Sequence, residues 1–478
     1  MTDSSLTLTE NFPSISEADW VALVEKGLKG GALSDIAAET RDGLPRGPLS
    51  TAAERPNGAG SFARVGDALL DTRAWHMAAP VTDPDIAYAN TQAVEDLTGG
   101  ASALRVMVGG ITAGPNGVTL RTRGEAERLF DKVYTDLIPI SFAPHTNGDL
   151  AAILAALPAL HGAQVNLGLT PHRLSGTGAS TETLKEIITW ANANAPKWRA
   201  ITIDAASVET AGGTAAQELS YMASSLAGVL RDLGPEAASH IAIELSADQD
   251  GHMGIAKQRA ARRIIAQILS SFGSDLTTLP IHAITSLRMM QSTDPWTNML
   301  RVMSAGFGAV CGGADSVTTR PFTDALSADG KGHATAFGHR IARNMQILMM
   351  EESHLGHVMD AANGSYFHER MTDALASAAW TEFQAIESGG GIAVLLDDGI
   401  FQTSVAASAE AEAENPPPIV GVTLHAAESL RDAKLRKAPT PAASKAKPIT
   451  DGSFADKIKD AHAGHQIAGH QINAGDAS

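Results

Sequence analysis

The 478-residue sequence has a single cysteine, Cys311, so no internal disulfide can staple it. Aromatic residues make up only 5%, and no uncharged apolar stretch approaches the roughly 18 residues that a membrane-spanning helix needs. Cations are in deficit: 36 Lys and Arg face 53 Asp and Glu, a formal net charge of −17. That balance repels nucleic acid and anionic lipid, and no Lys/Arg stripe interleaved with aromatics reverses it locally, so neither nucleic acid nor a membrane is an expected partner. The stretch Met1 to Pro13 lacks a basic region followed by an apolar one, which makes the cytoplasm the expected compartment.

What is abundant is small residues. Gly occurs 45 times beside many Ala, and hydrophobic content is 44%, which suits an α/β protein built on small-residue packing. The length calls for one large domain with appendages, or two domains. After a polar start, Ser14 stands where it could cap a helix running to about Lys26, with Glu17 at capping-box spacing and Trp20, Leu23 and Val24 as its apolar stripe. Gly27 would end that helix, with Leu28 folding back on Leu23. Thr40 to Thr72 is rich in Gly, Pro, Ser and Ala without periodicity, and reads as a long irregular arm that needs something to lie against.

From about Arg73 short apolar runs alternate with longer amphipathic stretches. The runs are Trp75–Val81, Leu104–Val108, Pro139–Ala143, Gln164–Leu169, Ala200–Ile203, Ile241–Leu245, Ile281–Ile284 and Phe307–Cys311. The stretches between them read as helices over Asp85–Leu97, Glu125–Asp136, Asp149–Ala159, Thr181–Asn194, Thr214–Leu233, Lys257–Ser271 and Thr297–Ala305. Short continuous runs suit strands buried on both faces, and eight βα repeats imply a closed (βα)8 TIM barrel. Two more helices follow, Thr335–Leu355 and Thr372–Ser388, and Gly389-Gly390-Gly391 reads as a helix stop rather than a phosphate cradle. From Val405 the composition shifts to Ala, Glu, Pro and Lys. The expected organisation is an N-terminal helix and subunit-contact arm over 1–72, a barrel with C-terminal helices over 73–404, and a linker with a disordered tail over 405–478.

Barrel catalysis belongs at the C-terminal ends of the strands. The titratable residues expected there are His145, His172, Asp204, Glu209 and Asp248, amid Gly, Pro, Ala and Ser. No spacing pairs them, and each also suits a loop-capping role. The sixteen histidines give no metal site: His462, His465 and His470 lie in a Gly/Ala-rich tail, and His354 and His357 share a helical face without further ligands. Asp294 caps a helix ahead of Pro295, and Arg340 with Arg343 forms a cationic face open to a phosphate, a partner's carboxylate or ordinary salt bridges.

Several ordered motifs carry a resemblance. Arg340–Asn344, Glu351–Gly356, Asp360, Gly364-Ser365-Tyr366, Ala378-Ala379-Trp380, Phe383-Gln384 and Ile386-Glu387 together resemble the methylmalonyl-CoA mutase family. Asp294–Arg301, Gly312–Ser316, Ala200–Leu219, Trp20–Gly30 and Asp42-Gly43 extend the likeness over about Glu10 to Leu424. The resemblance implies a substrate-binding TIM barrel followed by a cobalamin domain, isomerising methylmalonyl-CoA to succinyl-CoA by adenosylcobalamin radical chemistry. It also implies a pairing in which a catalytic large subunit joins a related small one, and this sequence looks like the small one.

Three departures point that way. Where the resemblance implies a Tyr-His pair in the catalytic subunit, its His expected to contact the thioester carbonyl, this sequence has Ala206 and Ser207, ahead of Ala211-Gly212. At the first strand Arg73 and Trp75 are kept, but Ala78 and Ala79 fall where Arg-Gln would stand, and Pro80 where the Tyr would. After Ile419–Val422 too little sequence follows for a cobalamin domain, and Asp460-Ala461-His462-Ala463-Gly464 sets its Gly one residue short of the Asp-x-His-x-x-Gly motif. The resemblance therefore implies no catalytic, cofactor-binding or metal residues in this chain, and adenosylcobalamin held by a large-subunit partner in a heterodimer. The alternatives are a substrate-binding subunit served by a separate cobalamin protein, and a freestanding acyl-CoA-binding protein.

Overall fold

A computed structural model of the chain describes residues 15–54, 56, 74–108, 117, 118, 120, 122–144, 160, 163–175, 178–426, 428 and 430–437. Eight parallel strands close into a barrel in chain order: β1 His76–Val81, β2 Ala103–Val106, β3 Pro139–Phe142, β4 Gln164–Leu169, β5 Arg199–Asp204, β6 Ile241–Ala247, β7 Ile281–Thr285 and β8 Ser316–Thr318. β8 pairs with both β7 and β1, which closes the ring. The chain is thus a (βα)8 TIM barrel, as its alternating pattern implies. Gly168 lets β4 bulge: it has φ +72, and a Cβ there would sit 2.5 Å from the Phe142 carbonyl oxygen, where the β4–β5 register shifts.

The first seven expected runs each overlap a strand, but Phe307–Cys311 does not. It forms the end of a helix, Asn298–Cys311, and the eighth strand is the short Ser316–Thr318. A brief apolar run cannot be assigned to strand or buried helix by periodicity alone. Here helix packing decides, because Gly308 has no Cβ and approaches the α-carbons of Gly251 and Gly254 on the neighbouring helix.

The helices are α1 Glu17–Gly27, α2 Ile86–Thr98, α3 Arg123–Leu129, α4 Thr181–Asn194, α5 Ala206–Thr210, α6 Ala215–Leu233, α7 Gly251–Ser271, α8 Asn298–Cys311, α9 Asp324–Ala328, α10 Ala336–Ile347, α11 Tyr366–Ser388, α12 Ile392–Asp397 and α13 Ile400–Glu414. α3 stops short of the expected Asp136, where Lys132 adopts a left-handed φ of +61. Asp149–Ala159, expected to be helical, lies outside the described residues. Gly389 caps the C-terminus of α11, in keeping with its reading as a stop. α13 continues across Val405, the residue at which composition places the start of the linker.

α11 lies outside the barrel across α6 and α7. The clamp is Arg259 of α7, fully buried, which donates to Asp360, Glu369 and Thr372 at 2.8–3.3 Å. Arg343 of α10 likewise donates to Asp96 at 2.8 Å. Both arginines join the C-terminal helices to the barrel.

At the N-terminus Ser16, not Ser14, caps α1, and Asp19 completes the box; overlapping Ser-x-x-acid spacings make the two starts indistinguishable in sequence. No residue of α1 is buried, and Ile15 and Leu23 are exposed. The arm beyond it is described only as far as Glu54 and at Pro56. It forms a small antiparallel hairpin pairing Ala38 with Arg46, and it is fastened to this chain's own barrel. Arg41 donates to the Gly212 and Gly213 carbonyls at 2.7 and 3.2 Å, Asp42 accepts from the Ala216 N–H at 2.8 Å, Arg46 pairs with Asp250, and Arg370 donates to the Pro45 carbonyl.

Candidate functional site

The bore of the barrel is crossed by an ion pair. Arg105 on β2 and Glu244 on β6 face one another from opposite walls, and the guanidinium donates to both carboxylate oxygens at 2.7–3.1 Å. Both side chains are buried, at 5% and 7% exposure. Two fixed charges desolvated together need this forked geometry, since either one alone in the bore would be unpaired. Nearby, the Asn166 amide donates to the Thr202 hydroxyl at 3.0 Å.

Below this bridge a cavity of about 400 Å³ opens at the N-terminal mouth, among the first residues of the strands, with Glu244 at its inner end. Its polar lining includes Ser141, Asn166, Thr202 and His282. Burial pushes His282 down to about 4, so its ring is neutral at ordinary pH, and its Nε2 has no partner among the described residues.

Of the titratable residues expected on the C-terminal face, only Glu209 and Asp248 come together among the described residues. Asp204, at the end of β5, joins the bore charges: burial and the adjacent Glu244 push it up to about 7, against the pull of Arg105 and Arg173. Glu209 and Asp248 lie behind the rim, around buried Lys257. Lys257 donates to Glu218 at 2.7 Å and to the Ser246 hydroxyl at 2.6 Å, and Ser286 donates to both oxygens of Glu209 at 2.8 and 2.9 Å. Asp248 accepts from the Asp250 N–H at 2.9 Å, a loop-capping role, and burial raises its pKa. His172 packs at Gly228 of α6, its carbonyl accepts from the Tyr221 hydroxyl at 2.7 Å, and burial lowers its pKa. His145 lies outside the described residues, as do Arg73, His462, His465 and His470. His354 and His357 stack on each other with ring centroids 4.9 Å apart, and among the described residues no group of three or more His, Cys, Asp or Glu is placed to hold a metal.

Glu209 gives a pH dependence. Burial raises it from its ordinary 4.5 to about 7, so between those values the folded state holds a proton that the unfolded chain releases. Stability contributed by the protonated form is therefore full below pH 4.5 and is lost as pH rises towards 7. Glu209→Gln is expected to flatten the decline in thermal stability across that window, as read by melting curves at stepped pH. An unchanged slope would show that Glu209 titrates elsewhere.

The C-terminal face is laced by the chain's two ends. The hairpin is tied beside the loops after β5 and β6. Glu412 of α13 pairs with Arg41 and Arg288, and the chain beyond α13 crosses the loops after β7 and β1, where Trp296 donates to the Arg431 carbonyl and Arg436 bridges Asp83 and Asp85.

The family model for methylmalonyl-CoA mutase matches residues 176–447. The chain belongs to the methylmalonyl-CoA mutase family. It is 35% identical over 370 residues to a probable methylmalonyl-CoA mutase small subunit of Mycobacterium tuberculosis, covering 73% of this chain and 57% of that relative. It is 33% identical over 476 residues to the methylmalonyl-CoA mutase small subunit of Streptomyces virginiae, covering 92% and 75% respectively. With that of Propionibacterium freudenreichii it shares 31% identity over 428 residues, 82% of this chain and 65% of the relative. The chain thus spans a little over half the length of the mycobacterial relatives it matches.

Methylmalonyl-CoA mutases are isomerases and generally cobalamin-dependent. The positions that the resemblance marks as departures from a catalytic pattern lie in β1 and at the start of α5. Ala206 is buried, and the Ser207 hydroxyl donates back to the Asp204 carbonyl at 2.7 Å, so it is spent on its own turn. Ala78 and Ala79 are buried in β1. Pro80 is tolerated because its missing N–H faces β8 beyond their two paired residues, His76 and Met77. A cobalamin laid on the C-terminal face would meet the hairpin and the crossing chain over the loops after β1, β5, β6 and β7, and the described residues do not fit it. Among these residues no helix is long and apolar enough to cross a membrane.

Reasoning from the sequence missed Arg105 and Glu244. The signal was present: each is a lone charge inside an apolar strand run, and a buried charge demands a partner.

Proposed function

We propose that this chain is the non-catalytic small subunit of a heterodimeric, adenosylcobalamin-dependent methylmalonyl-CoA mutase of the cytoplasm. The partner large subunit would hold the cofactor and convert methylmalonyl-CoA to succinyl-CoA. The observation that carries the reading is the Arg105–Glu244 bridge, which bars the bore between the N-terminal cavity and the C-terminal face. The shortened and displaced hydrogen-bond donor at Ala206 and Ser207 supports it, and no residue is assigned a catalytic, cofactor or metal role. The partner contact falls to α1, whose Trp20, Leu23 and Val24 stripe has no buried residue to match it within this chain. Co-expression with a large-subunit mutase tests this: a single co-eluting peak on gel filtration is expected, and two separate peaks would refute the pairing.

The N-terminal cavity favours a second reading, a freestanding acyl-CoA-binding protein. Titration of the isolated chain with a CoA ester distinguishes the two, since the subunit reading predicts no heat of binding.

A further inference from the structure

The last described stretch of the chain is firmly held. Arg301 donates to the Val420 carbonyl and Trp296 to that of Arg431, each at 2.6 Å, and His333 and Arg436 exchange two backbone hydrogen bonds of 2.8 Å. The Arg436 guanidinium lies 4.0 Å from the Tyr88 ring centroid and bridges Asp83 and Asp85. These contacts deliver Lys437, after which Ala438–Ser478 lies outside the described residues, to the N-terminal ends of α2 and α10.

From that point an open groove of about 600 Å³ runs between the two helices, walled by Glu95, Thr98, Phe337, Arg340 and Arg343. Phe337 is 42% exposed, and Arg340 stands 5.6 Å from its ring centroid. Arg343 is fixed by Asp96, whereas Arg340 has no ion pair among the described residues. An exposed aromatic beside an uncommitted arginine is the composition of a contact hot spot.

The sequence that follows Lys437 has one Phe, Tyr or Trp. It is Phe454, with Ile458 and Ala461 at i+4 and i+7, Ser453 three residues ahead of Asp456, and Asp460 four beyond that. This is a capping box followed by an apolar stripe, with Asp456 and Asp460 interleaved with Lys457 and Lys459. We propose that Ser453–Ala461 docks into the α2/α10 groove of its own chain, with Phe454 and Ile458 beside Phe337 and an aspartate on Arg340. The proposal does not depend on the subunit reading. The occupant is the chain's own tail because the anchor at Arg436 sets its start at the groove's end. A connection as short as 438–452 would give the segment an effective concentration on the order of millimolar at the groove.

Disulfide trapping in the full-length chain tests this, since the native Cys311 is buried. The pair Thr98→Cys with Ala461→Cys places one thiol in the groove and one on the segment; Ala193→Cys with Ala461→Cys is the control, on the exposed side of α4. The intramolecular cross-link is expected to form about tenfold faster in the first pair, and Phe454→Asp with Ile458→Asp should bring that rate down to the control. Equal rates for the two pairs, no response to the aspartates, or an intermolecular product would each overturn the proposal, the last by giving the groove to a second copy.

Discussion

Arg105→Met is expected to destabilise the chain by about 3–5 kcal/mol, because it strands the Glu244 carboxylate in the bore without its counter-charge. The bridge is nearly dry, at 5% and 7% exposure, and no other cation is hydrogen-bonded to Glu244 among the described residues. Replacing both partners, Arg105→Met with Glu244→Met, should recover most of the loss, since two apolar side chains of similar bulk fill the bore with no charge to desolvate. The pattern to look for in denaturant unfolding is therefore a large deficit in the single variant and a small one in the double. A single variant within about 1 kcal/mol of the parent would mean that water reaches the pair, and the bore would have to be regarded as open.

The second large effect concerns α1. Trp20→Asp combined with Leu23→Asp should weaken binding to a large-subunit partner by at least roughly 30-fold, the equivalent of about 2 kcal/mol for a buried aromatic anchor. The melting temperature of the isolated chain should barely move, because no residue of α1 is buried, Trp20 and Val24 being half-covered and Leu23 exposed. Surface plasmon resonance on the pair, with a melting curve on the variant alone, reads both halves. Unchanged affinity would take α1 out of the interface, and a lower melting temperature would show that it packs on this chain instead.

The barrel was legible because parallel strands covered on both faces write themselves as brief apolar runs, and the helices between them carry caps such as Ser180 and Thr214. The eighth strand was not, because Ser316–Thr318 has too few apolar residues to stand out beside the richer Phe307–Cys311. At the site the sequence offered Ala206, Ser207, Ala78 and Ala79 only as departures that the resemblance implies. The site's positive content, the charges that bar the bore, depends on β2 and β6 lying opposite each other, a relation between residues 139 apart in sequence that no local pattern encodes. The fastening of the arm was hidden for the same reason: Arg41 meets Gly212 and Gly213 only once the barrel has closed.

The most direct test of a barrel without chemistry of its own is succinyl-CoA formation from methylmalonyl-CoA and adenosylcobalamin, measured for this chain alone and for its complex with a large-subunit mutase. Turnover by the complex and none by the isolated chain is the predicted result. Turnover by the isolated chain would contradict the account.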